Sequence, residues 1–245
     1  MAGHSHWANI QRTKSKMDAK RGKIFSKWAK LIMNAARNGG ADPAMNLPLR
    51  YAIDGARADN MPKDSIERAV KKGAGELDGV AFEEVTYEAY GPNGVALIIE
   101  ALTDNRNRTA PDLRHILDRR GGSLGSTGSV LFQFDRKAAF AVKRTGPAAD
   151  EDEFMLFALE LGAEDVTTEE EEILGVTAEP AMFMEIKGAL EEGGYELADA
   201  AIRYIPQNQV EVSGDDCQKI LDLVDALEDN DDVQSVHHNA DFLDN

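Results

Sequence analysis

Basic side chains recur at helical spacing close to the N-terminus, and rows of this kind bind phosphate backbones. When residues 17–38 are placed on a helix at ~100° per residue, five cations fall on one arc that no acidic side chain interrupts. These five, here called the cationic arc, are Lys20, Lys23, Lys27, Lys30 and Arg37. Flexible ammonium groups in a row can meet successive phosphates and release their counterions. The cationic arc therefore predicts a nucleic-acid-binding face.

The rest of this helix and the segment before it extend the same prediction. An apolar arc beside the cations, which includes Trp28 and Ile32, suits packing against other helices. Further basic residues lie before and at the start of the helix: Arg12, Lys14, Lys16 and Arg21. Other interpretations stay open, namely an ordinary solvated helix face, an amphipathic transit peptide and a membrane-surface helix. Trp28 and the helix end at Gly39-Gly40 favour a folded element.

The charge of the chain is divided unevenly along its 245 residues, although the formal net charge is −17. Residues 1–75 hold 15 Lys/Arg and 6 Asp/Glu, a net of +9. The later segments 76–136, 137–206 and 207–245 carry −4, −12 and −10. This asymmetry indicates an anionic partner for the first third of the chain. Plain solubility and a basic protein partner are both open explanations for the acidic remainder.

A second basic group lies farther along, in the stretch 104–120. Arg106 and Arg108 precede a helix predicted to start at Thr109, where a helix N-terminus could help them hold phosphate. Three more cations follow along that helix: Arg114, Arg119 and Arg120. The alternative is intramolecular pairing with the acids of the same stretch, which are Asp104, Asp112 and Asp118.

Patterns typical of catalysis or cofactor binding are weak throughout. The single cysteine, Cys217, excludes a disulfide framework and a cysteine zinc cluster. The glycine-rich stretch 121–129 follows a helix and precedes a strand, whereas a nucleotide-binding glycine loop needs the opposite order. We therefore expect no enzyme activity, cofactor, metal site or small-molecule substrate. No apolar run approaches the roughly 18–20 residues that span a bilayer, so we expect a cytoplasmic protein without a membrane partner.

Three elements are predicted for the basic part of the chain, residues 1–75. Residues 17–38 form the first helix, Asp42-Pro43 opens the second, and a third runs from Pro62 to Gly73. Residues 73–79 then read as a linker.

The remaining elements alternate between strands and helices. Strands at 82–90 and 94–102 flank a turn at Gly91–Gly94 and precede a helix with Thr109 as its cap, Asp112 completing the capping box and Pro111 in its first turn. A strand is predicted at 129–134. Residues 137–206 follow the order βαββαβ, which is the ferredoxin-like arrangement. Residues 207–245 give strand, helix and strand.

These elements predict an α+β protein with an N-terminal three-helix domain and two α/β domains that contain ferredoxin-like βαβ units. The last strand–helix–strand segment needs a partner sheet, which the unit at 80–136 can supply. We therefore expect a discontinuous domain of 80–136 plus 207–245, with 137–206 inserted into it as an acidic ferredoxin-like domain.

Several motifs of the first 135 residues resemble those of the YebC/PmpR family. They are "GHSHWANI", "DAKRGKIF", "ARNGGADP", "NMPKDSIERAVKKG", "YEAYGPNGVALIIEALTDNRNRT" and "GGSLGSTGSVLF". The resemblance implies three domains and a cytosolic, non-enzymatic protein. Family members usually have Lys at the position of His6, which implies a weaker and pH-sensitive phosphate contact here.

The resemblance also implies the biological role. Bacterial members have been assigned as transcriptional regulators that bind DNA, whereas a mitochondrial translational activator of cytochrome oxidase and other members are linked to translation on the ribosome. We therefore expect a nucleic-acid-binding regulatory factor, a DNA-binding transcriptional regulator in the first place. The alternatives are a ribosome-associated translation factor that binds ribosomal RNA and a protein-interaction module without nucleic acid. A Lys-rich arc favours backbone or shape recognition over the reading of base sequence.

Overall fold

A computed structural model describes residues 21–168 and 170–243. Contacts divide these residues into two compact units. The first unit contains the described residues up to Ser129 together with Gln218–Val236, and the second contains Val130–Cys217 and the chain from His237 onward. The elements confirm the expected fold class, an α+β protein with helices first and sheets after them.

Three helices begin the first unit: α1 (Arg21–Gly39), α2 (Leu47–Ala58) and α3 (Lys63–Gly73). Their apolar faces meet in one core, in which Ile32, Leu49 and Ala56 are fully buried. Asn46 fixes the start of α2, because its side chain accepts a hydrogen bond from the Leu49 amide at 3.1 Å and donates one to the Ala35 carbonyl at 2.8 Å. The prediction of three helices is confirmed, but the second helix begins at Leu47 and not at Asp42-Pro43, because Asn46 supplies its cap.

Two glycines allow the helices to approach closely. A Cβ on Gly55 would lie 2.2 Å from the Trp28 ring, so only glycine leaves room for the indole against α2. The indole nitrogen donates to Oδ2 of Asp59 at 2.6 Å, which anchors the ring at the end of that helix. A Cβ on Gly73 would lie 2.4 Å from the carbonyl oxygen of Met33, so the end of α3 lies directly against α1.

The later elements alternate between sheet and helix. In chain order they are β1 (Glu83–Tyr90), β2 (Ala96–Thr103), α4 (Arg106–Arg119), β3 (Ser123–Leu124), β4 (Phe134–Lys143), α5 (Glu151–Glu160), β5 (Asp165–Thr167), β6 (Ile173–Ala178), α6 (Phe183–Glu192), β7 (Leu197–Pro206), β8 (Val210–Val212), α7 (Asp215–Glu228), β9 (Val233–His238) and β10 (Ala240–Phe242). No helix among the described residues is long and apolar enough to cross a membrane.

The first four-stranded sheet has the order β3-β1-β2-β9, so a strand from the end of the chain lies beside β2. The predicted turn between β1 and β2 is present at Pro92–Gly94, where Asn93 and Gly94 take φ values of 59° and 75°. Asn and Gly tolerate this left-handed conformation better than other residues, which explains their place in the turn. The boundaries of the discontinuous domain, 80–136 plus 207–245, and of the insertion at 137–206 stay predictions.

The second four-stranded sheet has the order β5-β6-β4-β7 and is antiparallel at every pairing. With α5 and α6 it forms the βαββαβ arrangement that the sequence predicts for 137–206. Phe140 and Phe183 stack in its core with ring centroids 5.2 Å apart. A separate parallel pair joins β8 to β10, a strand that the sequence analysis does not predict.

Two of the later predicted elements are also wrong in detail. The strand expected at 129–134 is replaced by a short 3-10 turn at Leu131–Gln133. Phe134 pairs with Pro206, the last residue of β7, so β7 does not extend alongside residues 129–133.

The start of α4 differs from the prediction as well. The helix begins at Arg106, and its cap is Asn105, whose side chain accepts a hydrogen bond from the Arg108 amide at 3.1 Å. Thr109 is buried within the helix, and Pro111 also lies inside it. Arg106 and Arg108 therefore belong to the first turn of α4 instead of preceding the helix.

Candidate nucleic-acid interface

The structure describes only part of the predicted basic face. Arg12, Lys14, Lys16 and Lys20 lie outside the described residues, as does His6, and the side chain of Arg21 is likewise not described. The remaining members of the cationic arc lie on α1.

Two members of the cationic arc contact the loop between α7 and β9, here called the acidic loop (residues 229–232). The ammonium of Lys23 lies 3.0 Å from the carbonyl oxygen of Asp229 and 3.6 Å from its Oδ1. Seven residues on, Lys30 donates to the Asp231 carbonyl at 2.8 Å and to Oδ1 of Asp232 at 3.0 Å. Part of the cationic arc therefore binds carboxylates of the same chain.

Between Lys30 and Arg37, the surface of α1 is also covered by an acidic residue of the same chain. Asn34 lies between the cations on the helix surface, is buried, and donates to Oε1 of Glu84 at 2.7 Å. The Lys30 ammonium also lies 5.6 Å from the centre of the Phe82 ring, a distance at which a cation and an aromatic face attract each other. This side of α1 therefore packs on the chain that enters and surrounds the first sheet.

Asp232 is the centre of the contact. Its side chain is 6% exposed and accepts hydrogen bonds from Lys30, from Arg108 at 2.7 Å, and from the hydroxyls of Thr103 and Thr109. Burial alone would raise the pKa of this carboxyl. The hydrogen bonds from Arg108, Lys30 and Thr109 outweigh burial and lower the pKa to about 2. The carboxylate is therefore ionised at every physiological pH.

An open cleft of about 460 Å³ lies beside this group. Its lining residues are Ser26, Lys30, Phe82, Asp104, Arg108, Asp112, Asn230, Asp231 and Asp232. Four of these are acids and two are bases, so the cleft itself does not attract phosphate. The cations that could bind a nucleic-acid backbone therefore lie outside this cleft.

Lys23 and Arg37 are the exposed members of the arc on the described part of α1. The Lys23 side chain is 46% exposed although it contacts Asp229, Lys27 is half-buried, and Arg37 is exposed in the last turn of α1. The close approach of Gly73 to Met33 brings the end of α3 beside this turn.

That approach reveals two cations which sequence reasoning did not assign to the site. Lys71 and Lys72 are exposed in the last turn of α3, close to the final turns of α1. In the sequence they read as cations that complement the helix dipole, and only the packing of α3 on α1 brings them near Arg37.

The second basic group divides between two roles. Arg106 is exposed and lies 3.8 Å from Glu83, a distance that makes a weak surface pair. Arg108 binds Asp104 at 2.9 Å as well as Asp232, so its guanidinium serves the intramolecular pairing that the sequence leaves open as an alternative. The binding roles of all these cations stay predictions.

The fold and site together define a mixed α+β protein with a basic helical domain followed by two sheet-containing domains. Comparison with known families agrees with this architecture. The family model described as TACO1/YebC protein N-terminal domain matches residues 5–76, and the one described as TACO1/YebC second and third domain matches residues 82–240. The chain belongs to the TACO1/YebC family, as its motifs indicate.

Relatives resemble the chain over its whole length. It is 50% identical to a probable transcriptional regulatory protein of Thermoanaerobacter pseudethanolicus, with 100% of this chain and 98% of the relative covered. It is 51% identical to a probable transcriptional regulatory protein of Halothermothrix orenii, with 100% and 96% covered. The crystal structure of a conserved hypothetical protein from Aquifex aeolicus matches with a TM-score of 0.85 and 44% identity, covering 98% of both chains.

Proposed function

We propose that this protein is a nucleic-acid-binding regulatory factor, and in the first place a DNA-binding transcriptional regulator, which acts by binding and not by catalysis. The observation that carries the proposal is the exposure of cations along one side of the helical domain, within the only segment of the chain that has a positive net charge. The names of relatives at about 50% identity support a regulatory role.

The binding face in this proposal differs from the simple arc. Lys23, Lys27 and Arg37 are its members on α1, and Arg106 extends it at the start of α4. Lys30 and Arg108 support the face from within, because both donate to the buried carboxylate of Asp232. The basic residues before α1 join the face as a prediction from the sequence: Arg12, Lys14, Lys16, Lys20 and Arg21.

A second candidate is binding to ribosomal RNA during translation. The lysines of α1 support it, because ammonium groups contact the phosphates of RNA as well as those of DNA and favour recognition of the backbone over that of the base sequence. Sedimentation of a native lysate through a sucrose gradient, with and without ribonuclease, separates the two. A protein that travels with ribosomes only when their RNA is intact supports the translational role.

Binding itself is tested with purified protein. Fluorescence anisotropy with a mixed-sequence DNA duplex and a structured RNA, at several salt concentrations, should show affinity falling steeply with salt. The double variant K23Q/R37Q should bind more weakly, and its salt slope should be lower by about 0.9 for each phosphate contact removed from duplex DNA.

K63Q is the matched control for this experiment. Lys63 lies on the same domain, at the start of α3, and pairs with Glu67 at 3.7 Å. If K63Q weakens binding as much as the single variant K23Q does, the face proposed here is wrong and binding depends on net charge alone.

A further inference from the structure

The acidic loop offers the helical domain oxygen acceptors, some of them anionic, as the phosphates of a nucleic-acid backbone would. Asp229, Asp231 and Asp232 present carboxylates and carbonyl oxygens to two ammonium groups that lie seven residues apart on α1. Seven residues are about two turns, so Lys23 and Lys30 lie about 10 Å apart along one side of the helix. The loop thus occupies Lys23, which the proposed function assigns to the binding face, and Lys30, which supports that face from within.

We propose that the acidic loop competes with nucleic acid for the cationic arc. The loop must release Lys23 before nucleic acid can bind there. This inference rests on the proposed function and adds a means of regulating access of nucleic acid to the binding face. The partner that displaces the loop is defined by its chemistry as a polyanion with closely spaced phosphates.

The two ends of the contact differ in how easily they exchange. Lys23 and Asp229 are 46% and 42% exposed, so water and salt compete well for this pair. Lys30 and Asp232 are 15% and 6% exposed, and further donors surround the carboxylate. The Lys23–Asp229 pair is therefore the part of the contact that can exchange, whereas Asp232 anchors the loop to the sheet.

The position of the loop in the chain allows such an exchange. The segment 229–232 connects α7 to β9, and the backbone carbonyl of Asp232 accepts from the Leu102 amide at 2.7 Å. Asp229 follows the last turn of α7, and its side chain is exposed. The Asp229 carboxylate can turn away from Lys23 without disturbing the hydrogen bonds made by Asp232, whereas release of the carbonyl contact requires the loop backbone at Asp229 to move.

The test compares two variants that remove the same number of charges. In D229N/D231N the two exposed carboxylates of the loop lose their charge, including the Asp229 carboxylate that pairs with Lys23, while Asp232 and the backbone carbonyls are kept. In the control D78N/D118N two exposed acids of the same unit are lost, and neither of them lines the cleft. We expect D229N/D231N to bind a DNA duplex and a structured RNA about three- to fivefold more tightly than the control at low salt, with the difference shrinking as salt rises.

A second measurement follows the loop itself. Amide hydrogen exchange of residues 229–233 in the full-length wild-type protein should become faster when nucleic acid is added. If both double variants bind equally, or if the loop keeps its protection while nucleic acid binds, the competitor role is refuted and the proposed function stands. If neither the wild type nor D229N/D231N binds either probe at low salt, the proposed function itself fails and this inference fails with it.

Discussion

The ammonium of Lys30 lies 3.0 Å from Oδ1 of Asp232, and the two side chains are only 15% and 6% exposed. Each has given up most of its hydration, so each depends on the other and on its remaining hydrogen-bond partners. Through this pair, the helix predicted to present cations outward is attached to the loop that precedes β9.

Replacing Asp232 should destabilise the protein strongly. In D232A, Lys30 and Arg108 lose their shared acceptor and the buried hydroxyls of Thr103 and Thr109 lose a partner. We expect the free energy of unfolding to fall by about 3 kcal/mol, measured by urea denaturation. The control is D231N, which changes an exposed neighbour and should stay within about 0.5 kcal/mol of wild type. A D232A variant as stable as D231N would contradict the importance of this carboxylate.

The same carboxylate should contribute a pH-dependent stability. Its pKa in the folded protein is lowered to about 2, below the ordinary value of 3.8, so its contribution is complete above about pH 5 and is lost as the pH falls through 4 toward 2. The contribution is about 2 kcal/mol. Urea denaturation at a series of pH values should show the difference between wild type and D232N shrinking over this interval. A constant difference from pH 6 to pH 2.5 would show that the carboxylate does not titrate as its contacts imply.

Lys30 and Lys23 should have opposite roles although they belong to one row. K30M removes a donor from the buried carboxylate and should lower the free energy of unfolding by about 2–3 kcal/mol. K23M breaks an exposed pair and should change stability by less than about 1 kcal/mol, while it weakens nucleic-acid binding and lowers the salt slope by about 0.9. Urea denaturation and fluorescence anisotropy of both variants check whether Lys30 acts in stability and Lys23 in binding. Equal effects of the two changes on stability would argue against it.

The packing of Trp28 on Gly55 should make that glycine intolerant of even a methyl group. In G55A the new Cβ would lie 2.2 Å from the indole ring, so the ring or the helix must move. We expect a loss of about 1–3 kcal/mol in unfolding free energy, together with a shift in tryptophan fluorescence. G22A is the control, because Gly22 is exposed on α1 with open space around it, and alanine there should stabilise the helix by about 0.5–1 kcal/mol.

Much of the fold could be predicted because its signals are local. The three helices, the turn at Pro92–Gly94 and the βαββαβ order each follow from periodicity or from turn residues within a short window. The predicted start of α4 is wrong for a specific reason. Thr109 and Asp112 form a capping-box pattern, but the Thr109 hydroxyl lies 2.8 Å from that of Thr103 in a buried group, and Asn105 supplies the cap.

The candidate site could be predicted only in part, because its geometry depends on residues far apart in the sequence. The row of lysines is visible in the sequence, whereas the acids that engage Lys23 and Lys30 lie two hundred residues later, where the last predicted helix meets the last predicted strand. Lys71 and Lys72 lie near the end of α1 only because Gly73 permits the close approach of α3. Charge patterns along a chain do not report such pairings.

The separation of Lys30 and Asp232 also bears on the order in which a new chain can fold. The two residues lie 202 positions apart in the sequence, so their contact contributes strongly to the contact order of the fold. A ribosome that adds roughly 5–20 residues per second needs roughly 10–40 s to make the chain between them. Throughout that interval the nascent helical domain has no Asp232 to hold Lys30 and no acidic loop to cover Lys23. Its basic surface is therefore least covered while the protein is still being synthesised.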